Sequence, residues 1–342
     1  MSKHLEIARR ATYNLSPDLQ PFAQLPTGAV VPLYSEDFFT WFLEQTDKDQ
    51  IPNPTSAEFN YLLRQIDAET WSRQNIRPVS LRTAKFDHFR HHINLGDQRR
   101  EAIEISAKGW CLIPGSTELF LTPTLSLPLP QPPENEPPEN LPETLAKMFG
   151  LEEKPALQLA HWLAQAMLGG PPPPILVITG SARAQAAAQL RNLLDPVAQP
   201  VHPLPYSTRA LGQLALSNKV LAFSIGGRLT KAKQSAFNDL QDGMLVKLKE
   251  ANKRRQAIST TLARAIILSA ATKIEVHPHQ FTIEVNQASE STQSGELFSA
   301  LLSAMVKFLR LLRDHAEHHG LQLALPPPTA FHPVEFSDAP AP

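Results

Sequence analysis

ILVITGSARAQAAAQLRNLLDP, residues 175–196, decides how the rest of the chain is read. The run Ile175 to Ile178 is apolar without interruption, as in a strand buried on both faces. Gly180 then makes a turn, and residues 183–194 read as a helix. A strand, a glycine turn and a helix are the setting of a phosphate-binding loop, whose backbone N–H groups cradle the anion. Such a loop continues with a second glycine, a lysine and a hydroxyl. Here Ser181, Ala182, Arg183, Ala184 and Gln185 follow Thr179 and Gly180 directly.

Two further apolar runs, KVLAFSI (219–225) and AIILSA (265–270), read as parallel core strands. Helix-length segments separate the three runs, which predicts an α/β core with a parallel sheet. Before it, LPETLAKMFGLEEKPALQLAHWLAQAML is helical in pattern. After it, ELFSALLSAMVKFLRLLRDHAEHH places Leu297, Leu301, Met305, Leu309 and Leu312 on one helix face, with a stop expected near Gly320.

The first part of the chain has a different texture. PLYSEDFFTWFLEQ and SAEFNYLLRQIDAETWS predict two helices, capped by Ser35 and Ser56. Short, partly alternating segments around PVSLRTA, HHINLGD, EAIEISAKGW and ELFLTPT then predict strands and hairpins. The expected organisation is an α+β domain at 1–127, a proline-rich acidic linker at 128–142 and the α/β core at 143–285. A C-terminal helix at 286–323 and a disordered tail at 324–342 follow.

Bulk properties exclude several classes. The net charge of −1 gives no global bias toward nucleic acid, and a single cysteine, Cys111, excludes an internal disulfide framework. Cys111 is expected as a small half-buried residue. The N-terminal residues have no apolar core of a secretory signal, and no apolar run is long enough for a bilayer. The expectation is a cytoplasmic protein without a membrane partner.

Four segments carry a family resemblance: HHINLGDQRREAIEISAKGW (91–110), LFLTPTLSLPLPQP (119–132), LAHWLAQAMLGGPPPPILVITG (159–180) and LRNLLDPVAQPVHPLP (190–205). In this order the chain resembles the phage and mobile-element P-loop ATPases of the primase/helicase type, over residues 30–313. The resemblance implies a P-loop NTPase-like parallel sheet preceded by a small α+β domain, and a link to DNA replication.

The chemistry of that family needs a Gly-Lys-Ser/Thr loop, a metal-holding carboxylate on the next core strand, and a polar sensor on the third. The loop lacks its lysine and hydroxyl. Arg183 does not copy a lysine's compact point charge. The carboxylate position is Ser224, and the sensor position, usually Asn, is Ser269. Three departures at three segments imply a degenerate nucleotide site at Thr179, Gly180, Ser181, Arg183, Ser224 and Ser269. No catalytic residue, metal or cofactor is expected, with ATP and Mg²⁺ disfavoured.

Charge is uneven along the chain. Residues 171–275 hold 14 Lys/Arg against 5 acids, a balance of +9. The candidates for nucleic-acid phosphates are Arg228, Lys231 and Lys233, then Lys247, Lys249, Lys253, Arg254 and Arg255 of the run KLKEANKRR. A solvated face pairing with the acidic linker or N-terminal half is the other reading. Aromatic residues are scarce near KLKEANKRR, which argues against base stacking there. Two histidine groups, His88/His91/His92 and His315/His318/His319, share a spacing suited to a metal on a helix, but solvated histidines are expected at both.

The expected function is a non-catalytic or weakly active replication-ATPase-like protein that binds DNA or a replication protein, with homo-oligomerisation open. The alternatives are a divergent DNA-dependent ATPase and a structural assembly protein using the last amphipathic helix.

Overall fold

The computed structural model describes residues 3–16, 20–86, 89–97, 99–114, 119–121, 123, 126–133, 140–168, 170–247, 259–276, 280–289 and 294–319. The expected tail, the helix stop at Gly320, His88 and most of KLKEANKRR lie outside them.

The N-terminal segment has more structure than its scattered apolar residues suggest. Helix α1 (Lys3–Ala8) precedes an antiparallel sheet of β1 (Thr12–Leu15), β2 (Pro21–Gln24) and β3 (Val30–Pro32). Helices α2 (Glu36–Lys48) and α3 (Ser56–Arg73) pack on it around Phe38, Trp41, Phe42, Leu62 and Ile66. Ser35 caps α2 as expected, its Oγ accepting from Phe38 N at 3.2 Å. Thr55, not Ser56, caps α3. Its hydroxyl accepts from Glu58 N while the Glu58 carboxylate accepts from Thr55 N at 2.8 Å, a reciprocal pair that Ser56 is one residue too late to form.

A second antiparallel sheet runs β4 (Thr83–Lys85), β5 (Arg90–Asn94), β6 (Ala102–Ser106) and β7 (Gly109–Ile113), in that order across the sheet. The helical pattern before the core is two helices, α4 (Leu141–Phe149) and α5 (Glu153–Leu168). Gly150 separates them at φ 63°, a left-handed position that ends a helix. Buried Trp162 of α5 donates from Nε1 to the Pro174 carbonyl at 2.6 Å, fixing the proline run to the helix before the first core strand.

The core alternates β8 (Leu176–Thr179), α6 (Arg183–Leu194), β9 (His202–Pro203), α7 (Thr208–Ser217), β10 (Val220–Ile225) and α8 (Lys231–Asp242). The hairpin β11 (Met244–Lys247) and β12 (Ser259–Leu262), then β13 (Ala265–Ala270), β14 (Phe281–Glu284) and α9 (Ser294–His319), complete it. The fold is mixed α/β with a parallel sheet in the order β14-β8-β13-β10-β9. The three apolar runs form β8, β10 and β13, its interior. β9 and β14 are the edges, and proline-bearing β9 suits an edge.

Both faces of the parallel sheet are covered. On one, Leu176, Ile178, Ala222 and Ile267 share a core with α4, α5, α6 and α9 and with Ile93, Ile103 and Ile105 of the antiparallel sheet. On the other, Val177, Leu221, Phe223, Ile266 and Leu268 pack on α7 and α8. Leu129 of the proline-rich stretch is buried in the first core, and its N–H donates to Leu95 O at 2.7 Å. Among the described residues, no helix is long and apolar enough to cross a membrane.

Candidate functional site

The turn from Thr179 to Arg183 lies at the carboxyl end of β8, where open parallel sheets bind ligands. Gly180 has φ 95°, and a Cβ there would sit 2.3 Å from Val285 O. The chain after β14 crosses the loop at this point. Val285 N donates to Thr179 O at 2.8 Å, extending the β8–β14 ladder, and Ala182 N donates to Val285 O at 3.0 Å. Ser181 N donates to Asn286 Oδ1 at 3.2 Å, and Ser181 Oγ donates to Asn286 O at 2.9 Å. The Thr179 hydroxyl donates to Ile283 O at 3.2 Å.

Arg183 turns back on its own loop, with Nη1 donating to Gly180 O at 3.0 Å. Glu284 pairs in register with Thr179, and its carboxylate accepts from Asn286 Nδ2 at 3.0 Å. An anion at this loop would therefore meet a carboxylate beside it.

The sheet register brings Ser224 and Ser269 to the same edge. Ser269 pairs with Ser224 on one side and with Ile178 on the other. Ser224 is exposed. Ser269 is 1% exposed, and its Oγ has no hydrogen-bond partner among the described residues. Thr179, Ser224 and Ser269 are thus gathered at one edge, as their positions at strand ends require.

Of the basic candidates, Arg228, Lys231 and Lys233 lie together around the start of α8. Arg228 is exposed after Gly226 and Gly227, and Lys231 and Lys233 lie in the first turn of α8. Lys247 ends β11, while Lys249, Lys253, Arg254 and Arg255 lie outside the described residues. Two cations counted in the basic excess point inward. Arg191 is fully buried, its Nη1 2.9 Å from Asp195 Oδ2 and its Nη2 donating to Asn218 Oδ1 at 2.8 Å. Lys219 bonds through Nζ to Thr83 Oγ1 and Met167 O.

Those inward cations belong to a charge cluster at the opposite, amino end of the sheet. Arg82 Nε lies 3.0 Å from Asp195 Oδ1, and Arg82 Nη2 also donates to Ser126 Oγ and Leu127 O. Lys219 N donates to Asp195 Oδ2 at 2.8 Å. Burial pushes the Lys219 amine down to about 7, with Asp195 opposing and Arg264 and Arg82 adding to the fall. Burial pushes Asp195 up, but Arg191 and Arg82 outweigh it and hold the carboxyl below its ordinary value. Nothing in the local sequence marks this cluster, because its members come from separate segments.

Three other expectations are corrected or placed. His91 and His92 are not solvated: each is 5% exposed, because β5 is an interior strand. His91 shares a strand face with core Ile93, and His92 Nε2 lies 3.2 Å from Glu104 Oε2. His315 and His318 are exposed on α9. Among the described residues there is no cluster of three or more His, Cys, Asp or Glu that would hold a metal. Cys111 is exposed rather than half-buried, because it lies on edge strand β7.

No protein-family model matches the chain, and no curated protein matches it. The chain is similar in structure to the A form apo structure of the NrS-1 C terminal region, at TM-score 0.39 and 10% identity, covering 90% of this chain and 67% of that one. A second apo structure of the NrS-1 C terminal region (305-718) gives TM-score 0.39 and 10% identity, over 91% and 69% of the two chains.

Proposed function

We propose that the chain is a replication-ATPase-like protein of a phage or mobile element that does not hydrolyse nucleotide. It binds nucleic acid or a replication partner instead. The observation that carries this reading is the pair of bonds from Ser181 N–H and Ala182 N–H to Asn286 Oδ1 and Val285 O. A phosphate at the end of β8 would need those donors. Both are already used by the chain that follows β14.

The neighbouring positions support the same reading. Arg183 is engaged with Gly180 O, Ser224 offers no carboxylate to a metal, and Glu284 places a negative charge beside the loop. The strand, turn and helix over residues 176–194 support a P-loop-like reading, and the positions that would hold Mg-nucleotide in it carry other groups.

The binding half rests on α8. Its first turn carries Lys231 and Lys233 and no acid, while Asp239 and Asp242 sit toward its carboxyl end. The helix dipole favours the reverse arrangement. Charge placed against the helix's own preference favours an anionic partner, and phosphate contacts of this kind position a nucleic acid without reading its bases.

The test is ATP turnover with and without DNA, together with DNA binding across a salt series. The expected result is no turnover in either condition and binding that weakens as salt rises. Turnover at a helicase-like rate that Arg183→Ala abolishes overturns the first half. Absence of binding at low salt overturns the second.

A further inference from the structure

Pro203 and Ser224 pair near the ends of β9 and β10, so the turns 204–207 and 226–230 leave the sheet side by side. Leu204 and Leu229 pack against the same buried cluster, to which α7 and α8 also contribute. In the first turn, Tyr206 is 102% exposed. A tyrosine ring normally buries a large apolar area. This one packs against nothing, so the fold does not explain it.

The charges on the neighbouring turns and helix starts are almost all positive. Arg209, Arg228 and Lys231 are exposed on the two turns and the helices they start. Lys273 is exposed on the turn after β13, which lies next to β10. That turn is tied in place: Ala271 N donates to Ile225 O at 3.1 Å, and Gln234 Nε2 of α8 donates to Glu275 O at 2.8 Å. The sequence has no carboxylate between Asp195 and Asp239, and Glu275 is the one acid on these turns. None of the four cations is in an ion pair among the described residues.

We propose that this edge binds a single-stranded nucleic acid. A base stacks on the Tyr206 ring, and Arg209, Arg228, Lys231 and Lys273 hold the adjoining phosphates. The proposal rests on the nucleic-acid half of the function proposed above and adds the strand form and the contact residues. An exposed aromatic face accepts any unpaired base, so binding is tolerant of sequence. A duplex keeps its base faces in the stack and leaves Tyr206 without a partner.

Anisotropy of a labelled oligothymidylate and of a labelled hairpin duplex tests this with the full chain. The variants are Tyr206→Ala, Tyr206→Trp, an edge triple (Arg228→Ala, Lys231→Ala, Lys273→Ala) and a control triple (Lys253→Ala, Arg254→Ala, Arg255→Ala). The wild type is expected to prefer the single strand. Tyr206→Ala weakens that binding by about five- to a hundredfold, the range for loss of one stacked base, and Tyr206→Trp preserves it. The edge triple lowers the slope of log affinity against log salt by about 2. Because the Tyr206 ring touches nothing, its variants fold as the wild type does.

Single-strand binding that survives Tyr206→Ala and the edge triple but is lost in the control triple overturns this proposal and leaves the nucleic-acid reading standing. Tighter binding of the duplex also overturns it. No binding of either form at low salt overturns both.

Discussion

Arg82 and Asp195, 113 residues apart in sequence, form a buried ion pair of 3.0 Å between Nε and Oδ1. The same carboxylate meets Arg191 and the backbone N–H of Lys219. One acid therefore holds together the strand region before β4, the end of α6 and the start of β10. Replacing it with Asn leaves buried guanidinium groups without their counter-charge. Asp195→Asn is expected to destabilise the fold by about 3–5 kcal/mol, the range for breaking a buried pair from one side. Urea unfolding measures this, and a loss near zero would contradict the assigned role.

Lys219 gives the cluster a pH dependence. Its amine titrates at about 7 in the fold and at an ordinary 10.5 when unfolded. Below about 7 both states carry the proton, and the penalty for a buried charge is fully present. Between about 7 and 10.5 only the unfolded chain binds it, so this residue makes stability rise with pH. Lys219→Met should flatten that rise in urea titrations taken across the window. A wild-type slope unchanged by the substitution would remove Lys219 as its source.

Gly180→Ala should be destabilising on two grounds. The backbone at φ 95° disfavours a side chain, and the new Cβ would press on the Val285 carbonyl. Strained backbone of this kind costs about 1–3 kcal/mol before the steric contact is added. A shift in the unfolding midpoint reads it. An Ala variant as stable as the wild type would mean that the chain after β14 does not sit tightly on the loop.

Cys111 lies exposed on an edge strand. A thiol reagent should label one cysteine per chain in the native state, at a rate that denaturant does not greatly raise. Protection of the native thiol would show that the outer face of β7 is covered in solution.

The interior of the parallel sheet was legible because β8, β10 and β13 are predominantly apolar runs. Its edges were not. β9 is two residues with a proline, and β14 is a short alternating segment, FTIE, rather than an apolar run, so neither matches the pattern that marks the interior strands. The α2 cap was legible in Ser35, whereas Thr55 competed with the equally suitable Ser56 beside it. At the candidate site, the strand ends located Thr179, Ser224 and Ser269. The approach of Val285 and Asn286 was not visible, because a contact across about a hundred residues leaves no local pattern. Composition also misled: Arg191 and Lys219 add to a basic segment when counted, yet Arg191 is buried and the half-buried Lys219 bonds inward to Thr83 and Met167. Tyr206, a lone aromatic in a proline turn, acquires meaning only from its full exposure.

The chain's own acceptors, Asn286 Oδ1 and Val285 O, occupy the loop at Gly180. Calorimetric titration of the full chain with Mg-ATP tests it most directly. The expected result is no saturable heat, with or without single-stranded DNA. Saturable, Mg²⁺-dependent binding that Arg183→Ala or Ser181→Ala abolishes would contradict the account.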